Sequence, residues 1–275
     1  MAVESVTEAA MNWGTVSGAS MVGMVISLLL SVGLPIFLGV FIYKKTRAWV
    51  PAFFIGCGIF VGFAMILEQI CHAIMLTVSG SVIRENIWLY AIYGGLAAAL
   101  FEECGRWIAM KFFLKKHLTR ENALMYGAGH GGIEAFLILG MSSMSNLLTA
   151  AMINGGLMEK TMTALEPAQQ EVTYHQLSVL WTTPAYQFYL ALVERISAIA
   201  LQIALSILVY SAVKTGRKLQ LAAAFGLHFA VDFLTVVCAS TIPTWALELG
   251  LLLVVAVICV VVYKLVYLSL AEKKA

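Results

Sequence analysis

Eleven ionisable side chains interrupt the apolar stretches of this chain: Glu68, His72, Glu102, Glu103, Arg106, His130, Glu134, Glu194, Arg195, His228 and Asp232. Placing one such group at mid-bilayer costs about 2.5 to 3.5 kcal/mol on insertion scales, so within spans they face a protein interior and mark function or pairing. Three pairs share an i, i+4 spacing, which stacks both members on one helical face: Glu102 with Arg106, His130 with Glu134, and His228 with Asp232. Carboxylates beside imidazoles can take a proton from water, hold an oxyanion and protonate a leaving nitrogen, the three needs of amide hydrolysis. The same atoms admit a metal version. His130, Glu134, His228 and Asp232 offer two imidazoles and two carboxylates, enough for a zinc with one open position, although no HExxH run is present. Two readings without hydrolysis use these residues as a proton relay in a transporter, or as the polar network of a non-catalytic scaffold. No GxSxG surrounds Ser142, Ser143 or Ser145, which argues against a serine nucleophile.

The elements that must position these groups follow from composition. The 275 residues are 61% hydrophobic and 12% charged, against about half apolar and a quarter charged in soluble proteins. That balance predicts an integral membrane protein, and a net charge of +2 gives no basis for nucleic-acid binding. Apolar runs of roughly 20 residues or more read as spanning helices. Seven are expected, over 18–43, 49–78, 86–113, 122–156, 176–213, 218–240 and 244–268, in a single all-α domain covering 1–275. Gly140 with the following serines and Asn146 is expected to bend or end the fourth, leaving room for a re-entrant segment near 144–157. Pro184 is expected to start the spanning part of the fifth after a short interfacial helix.

Alternate connections carry Lys44, Lys45 and Arg47, then Lys111, Lys115, Lys116 and Arg120, then Lys214, Arg217 and Lys218, then Lys264, Lys273 and Lys274. The opposite side holds only Arg84 and Lys160, with Glu4, Glu8, Glu85, Glu159, Glu166, Glu171 and Glu248. This bias predicts the N-terminus outside and the C-terminus in the cytoplasm. The first ten residues contain no Lys or Arg, so the first helix is expected to be retained rather than cleaved as a signal peptide. The five cysteines, Cys57, Cys71, Cys104, Cys238 and Cys259, are unpaired in spacing and read as buried thiols. At 1.5 Å per residue, Glu103, His130 and His228 each lie roughly 12–15 Å from the basic ends of their helices, hence at one level. Glu68, His72, Glu194 and Arg195 lie further out and are expected to form a separate group unless the helices tilt or break.

The run Phe101-Glu102-Glu103-Cys104-Gly105-Arg106 resembles the EExxR or EExxxR signature of the Abi/CAAX-protease and PrsW-like superfamily. Tyr126 four before His130 is similar to its aromatic-xxx-His motif, and His228 four before Asp232 to its HxxxN/D motif. The local pattern, FEECGRW, then GAGHGGIEA, then HFAVD, most resembles the YhfC family, read as glutamic-type intramembrane proteases. The Glu-to-Arg spacing is one shorter than in the CAAX form, and Asp232 stands where many relatives carry Asn. The resemblance implies a multi-pass protein of a bacterial plasma membrane that cuts a peptide bond in a membrane-associated protein or peptide. It implies Glu102 as general base, with Glu103 as the alternate. His130 would help to hold the water, and His228 with Asp232 would stabilise the oxyanion, with Arg106, Glu134 and Tyr126 supporting. A metal-free mechanism without cofactor is preferred to the zinc version, and the cavity is expected at the cytoplasmic side. Gly127, Gly129, Gly131 and Gly132 remove bulk around His130, so that another backbone can approach it.

Overall fold

A computed structural model describes residues 11–79 and 81–270 of the chain. Glu4, Glu8, Lys273 and Lys274 of the sidedness argument lie outside these residues. The described residues form helices and no strands, and seven helices are long and apolar enough to cross a membrane. They are α1 (Gly18–Thr46), α2 (Pro51–Val78), α3 (Ile87–Phe113), α4 (Arg120–Asn154), α5 (Ala185–Thr215), α6 (Lys218–Ala239) and α7 (Thr244–Tyr267). The chain is a multi-pass integral membrane protein.

Local chemistry sets the ends. Ser17 accepts the Ser20 N–H at 3.0 Å at the start of α1, Asn86 accepts from Trp88 and Leu89 at 3.0 and 3.2 Å before α3, and Thr119 accepts from Asn122 at 3.2 Å before α4. Each satisfies N–H groups that have no partner inside the helix. Pro51 opens α2, while Pro184 and Pro243 immediately precede α5 and α7. Gly216, at φ 73°, ends α5 in a left-handed turn that side chains disfavour. The expected interfacial helix before Pro184 is present as Pro167–Thr182.

α4 is the hub, packed against α1, α2 and α5. α5 is the most enclosed span and also meets α6 and α7, while α3 and α6 pair along their lengths. The glycines of α4 make this possible. A Cβ on Gly129 would lie 2.0 Å from the Phe53 carbonyl oxygen of α2, and one on Gly127 would lie 2.7 Å from Ile203 Cα of α5. The backbones that approach α4 are thus those of its own neighbours, as small residues permit between membrane helices.

Three expectations are corrected. α4 does not end at Gly140, and no re-entrant segment follows: a wider π-helical turn over Phe136–Gly140 absorbs the irregularity, and the helix continues to Asn154. The serines are tolerated because their hydroxyls can bond within the helix, as Ser142 does to the Ile138 carbonyl at 2.5 Å. None of the five thiols is fully buried, and Cys104 is exposed on the outward face of α3.

Candidate active site

The three i, i+4 pairs meet in the middle of the bundle. Glu102, Glu103 and Arg106 project from α3, His130 and Glu134 from α4, and His228 and Asp232 from α6. Glu102 Oε2 lies 2.9 Å from His130 Nε2 and accepts a second hydrogen bond, also 2.9 Å, from Gln202 Nε2 of α5. Its other oxygen, Oε1, is 4.0 Å from His228 Nε2. Glu103 Oε1 lies 2.8 Å from His228 Nδ1 and accepts from Arg106 Nη1 at 2.6 Å. Arg106 is fully buried; its Nη2 donates to Gln202 Oε1 and stands 4.0 Å from Glu102 Oε2. Tyr126 OH faces His130 Nδ1 at 3.4 Å, and Phe60 packs its ring edge to face with the same imidazole.

Burial divides these groups into two sets. Glu102, Glu134, Gln202, His228 and Asp232 line a cavity of about 430 Å³. His130, Glu103, Arg106 and Tyr126 lie behind that wall, with His130, Arg106 and Tyr126 wholly inaccessible. His130 therefore meets the cavity only through Glu102, which does not match its expected part in holding the water. Asp232 Oδ2 lies 3.5 Å from His228 Nε2 within the same regular helix.

The expected separation into inner and outer groups does not hold for Glu194 and Arg195. Arg195 Nη1 donates to Glu134 Oε1 at 3.1 Å and the guanidinium also pairs with Glu194, while Gln202 Nε2 donates to Glu134 Oε2 at 2.8 Å. A continuous polar chain thus runs from Glu194 through Arg195, Glu134 and Gln202 to Glu102. The reason is helical geometry: Arg195 and Gln202 are seven residues apart, about two turns, so they share one face of α5 and join the levels. Glu68 and His72 pair at 3.2 Å; His72 Nδ1 meets Tyr93 OH at 2.7 Å, and His72 lines the same cavity as Glu102. Gln202, which contacts Arg106, Glu102 and Glu134, escaped a search limited to ionisable types. Its signal was an amide within the apolar run that follows Arg195 on α5, two turns from it.

The cavity also lies on the other side of these residues from the one expected. Its wall uses the parts of α3, α5 and α7 that precede the site and the part of α6 that follows it, all towards the end away from the basic connections. The basic end is filled by an apolar core that includes Met110, Leu114, Met125, Leu205 and Val209. That core separates Arg106 from a second pocket of about 540 Å³ at the basic end, lined by Lys45, Arg47, Trp49, His117, Arg120 and Tyr267.

A bound zinc would need three or four of these donors around one point, with ligand distances of about 2.0 to 2.2 Å. Among the described residues no group of three His, Cys, Asp or Glu side chains has that arrangement. The four candidate ligands are instead directed at separate partners. His130 faces Glu102 and Tyr126, Glu134 faces Gln202 and Arg195, and only His228 and Asp232 face each other. The donor set does not fit a metal in this arrangement.

The chain is similar to known proteins over most of its length. A family model described as YhfC intramembrane metalloprotease matches residues 30–259, which contain every residue of the polar network. An uncharacterized membrane protein YhfC from Bacillus subtilis (strain 168) is 41% identical over 222 residues, covering 78% of this chain and 83% of the relative. No solved structure matches.

Proposed function

This chain belongs to the YhfC intramembrane metalloprotease family, and from that premise we propose that it hydrolyses a peptide bond of a membrane-associated substrate with Glu102 as general base. The family is one of intramembrane proteases by its description; the glutamate mechanism is our reading. One observation carries it. Glu102 has one oxygen held by His130 and Gln202, while the other remains free towards the cavity and 4.0 Å from His228.

A water molecule between Glu102 Oε1 and His228 would give its proton to Glu102 as its oxygen bonds to the scissile carbonyl carbon. The carbonyl electron pair moves to oxygen, where His228 in its doubly protonated form donates from Nε2. Collapse of the tetrahedral intermediate breaks the C–N bond, and the proton held by Glu102 passes to the leaving nitrogen. Glu103 and Asp232 orient and charge-balance His228, while His130, Gln202 and Arg106 hold the Glu102 carboxylate in place. These are positioning roles: Glu103, His130 and Arg106 lie behind the cavity wall, and Gln202 and Asp232, which line the cavity, act through Glu102 and His228. No step passes through a metal. The orientation that goes with this reading has the basic connections in the cytoplasm and the N-terminus outside, on the strength of the Lys and Arg bias.

The test is cleavage of a quenched membrane-peptide library by purified protein, comparing the parent with Glu102→Gln, Glu103→Gln and His228→Ala, each checked for folding. Turnover lost in Glu102→Gln and His228→Ala supports the assignment. Turnover retained in a folded Glu102→Gln variant removes Glu102 from the role of base.

A further inference from the structure

The cavity that reaches Glu102 has a direction. On α3 its wall runs from Glu102 back to Tyr90, twelve residues or roughly 18 Å along the helix axis. On α6 it continues past Asp232 to Thr235 and Val236, and α7 adds Leu251, eight residues from the end of the 240–243 turn region. Every wall segment therefore lies between the Glu102 level and the end of the bundle away from Lys115, Lys214 and Lys264. Towards those lysines the space is closed by fully buried side chains, among them Arg106, Tyr126, Met110 and Leu205.

One side of this shaft is thin. The last ten residues of α2, Gln69–Val78, include no buried residue, yet His72 and Leu76 from this segment line the cavity. The segment follows the π-helical stretch Val61–Glu68, whose wider turns break the regular packing phase of α2. A polar link between this segment and the bundle is the His72–Tyr93 contact at 2.7 Å. The shaft thus has a single loosely packed helix on one side and extends towards the end of the bundle opposite the basic loops.

We infer that substrate reaches Glu102 from the face opposite the basic connections, which the Lys and Arg bias makes the extracytoplasmic face. This rests on the protease reading and narrows the substrate class. It is a membrane-anchored polypeptide whose scissile bond is presented from outside the cytoplasm, in an extended segment that enters the outer half of the bundle. Cytoplasmic peptides and tails anchored on the inner leaflet meet the packed apolar end instead and are not substrates.

The experiment separates access from chemistry. In a full-length background with all five cysteines replaced, and with monodispersity and melting checked against the parent, single cysteines are introduced as Thr235→Cys and Leu76→Cys on the shaft wall. Lys115→Cys marks the basic end. Intact cells are treated with a membrane-impermeant charged maleimide, with and without permeabilisation. Access from outside predicts labelling of both wall positions in intact cells, at least fivefold above the background lacking cysteines, and labelling of Lys115→Cys only after permeabilisation. Wall positions that react only after permeabilisation, or only after denaturation, overturn the inference, as does labelling of Lys115→Cys in intact cells. A second arm uses proteoliposomes with the protein inserted in one orientation and a quenched single-span peptide whose cleavable segment faces one compartment or the other. Cleavage confined to the non-basic side supports the inference, and cleavage confined to the basic side overturns it. If the wall positions label as expected while no peptide is cut in either arrangement, the access direction stands and the protease reading fails.

Discussion

Gln202 offers the sharpest test of the site's construction, because one amide serves three charged partners. It is 4% exposed, accepts from Arg106 Nη2, and donates to Glu102 Oε2 at 2.9 Å and Glu134 Oε2 at 2.8 Å. Gln202→Met keeps an unbranched side chain of similar length and removes all three bonds. A hydrogen bond to a charged group is worth about 1.5 to 3 kcal/mol. Each partner keeps another contact, Arg106 with Glu103, Glu134 with Arg195 and Glu102 with His130, so the low end applies to each and relaxation recovers part. A net loss of about 3 kcal/mol follows. In a chain of 275 residues each kcal/mol moves the melting midpoint by roughly 2 °C, giving a fall of about 6 °C. The assay is thermal unfolding in detergent followed by intrinsic tryptophan emission, with Gln169→Met on the exposed interfacial helix as a control expected to shift by less than about 2 °C. Turnover should fall as well, since Glu102 loses one of the two groups that hold its buried oxygen. A Gln202→Met protein that melts within 2 °C of the parent would falsify the claim that this amide joins the levels of the network.

The other predictions address chemistry and packing. Removing the base in Glu102→Gln should lower kcat by about 10² to 10⁴-fold with little change in melting; Glu103→Gln, acting only through His228, should cost less, and a larger loss at Glu103 would exchange their roles. Turnover should survive dialysis against EDTA and 1,10-phenanthroline; activity that disappears on chelation and returns with zinc assigns the site to a metal mechanism. Gly129→Ala places a Cβ 2.0 Å from the Phe53 carbonyl oxygen, so α2 and α4 must separate; a loss of about 1 to 3 kcal/mol is expected, and an unchanged melting curve would show that the two backbones are not in contact.

Much of the fold was readable because a bilayer limits the choices. Backbone polar groups in hydrocarbon must bond within a helix or closed barrel, so long apolar runs had only one reading, and the spans match the expectation closely at most ends. Pro184 was expected to open the spanning part of the fifth run, and that span begins at Ala185 after a helix over Pro167–Thr182. The fourth was expected to bend or end at Gly140; a π-helical turn over Phe136–Gly140 carries the helix on to Asn154 instead. Helix breakers are weak signals in a membrane, since wide turns and serine hydroxyls can satisfy the backbone without ending the helix.

Residue types and their spacing determined that Glu102 with Arg106, His130 with Glu134 and His228 with Asp232 would each share a helical face, and rise per residue put them at one depth. These quantities are properties of single helices, and a sequence contains them. What only the tertiary structure decided was the relation between helices. It turned His130 to the back of Glu102 and away from the cavity, brought Gln202 of α5 between three charges, and joined Arg195 to Glu134 across the supposed inner and outer levels. It also left the open space on the side away from the basic loops while the other end filled with apolar side chains. Rotation about a helix axis and the choice of neighbour depend on close contacts such as Gly129 against Phe53 and Gly127 against Ile203. Those contacts form between residues distant in sequence, so no spacing along one helix encodes them.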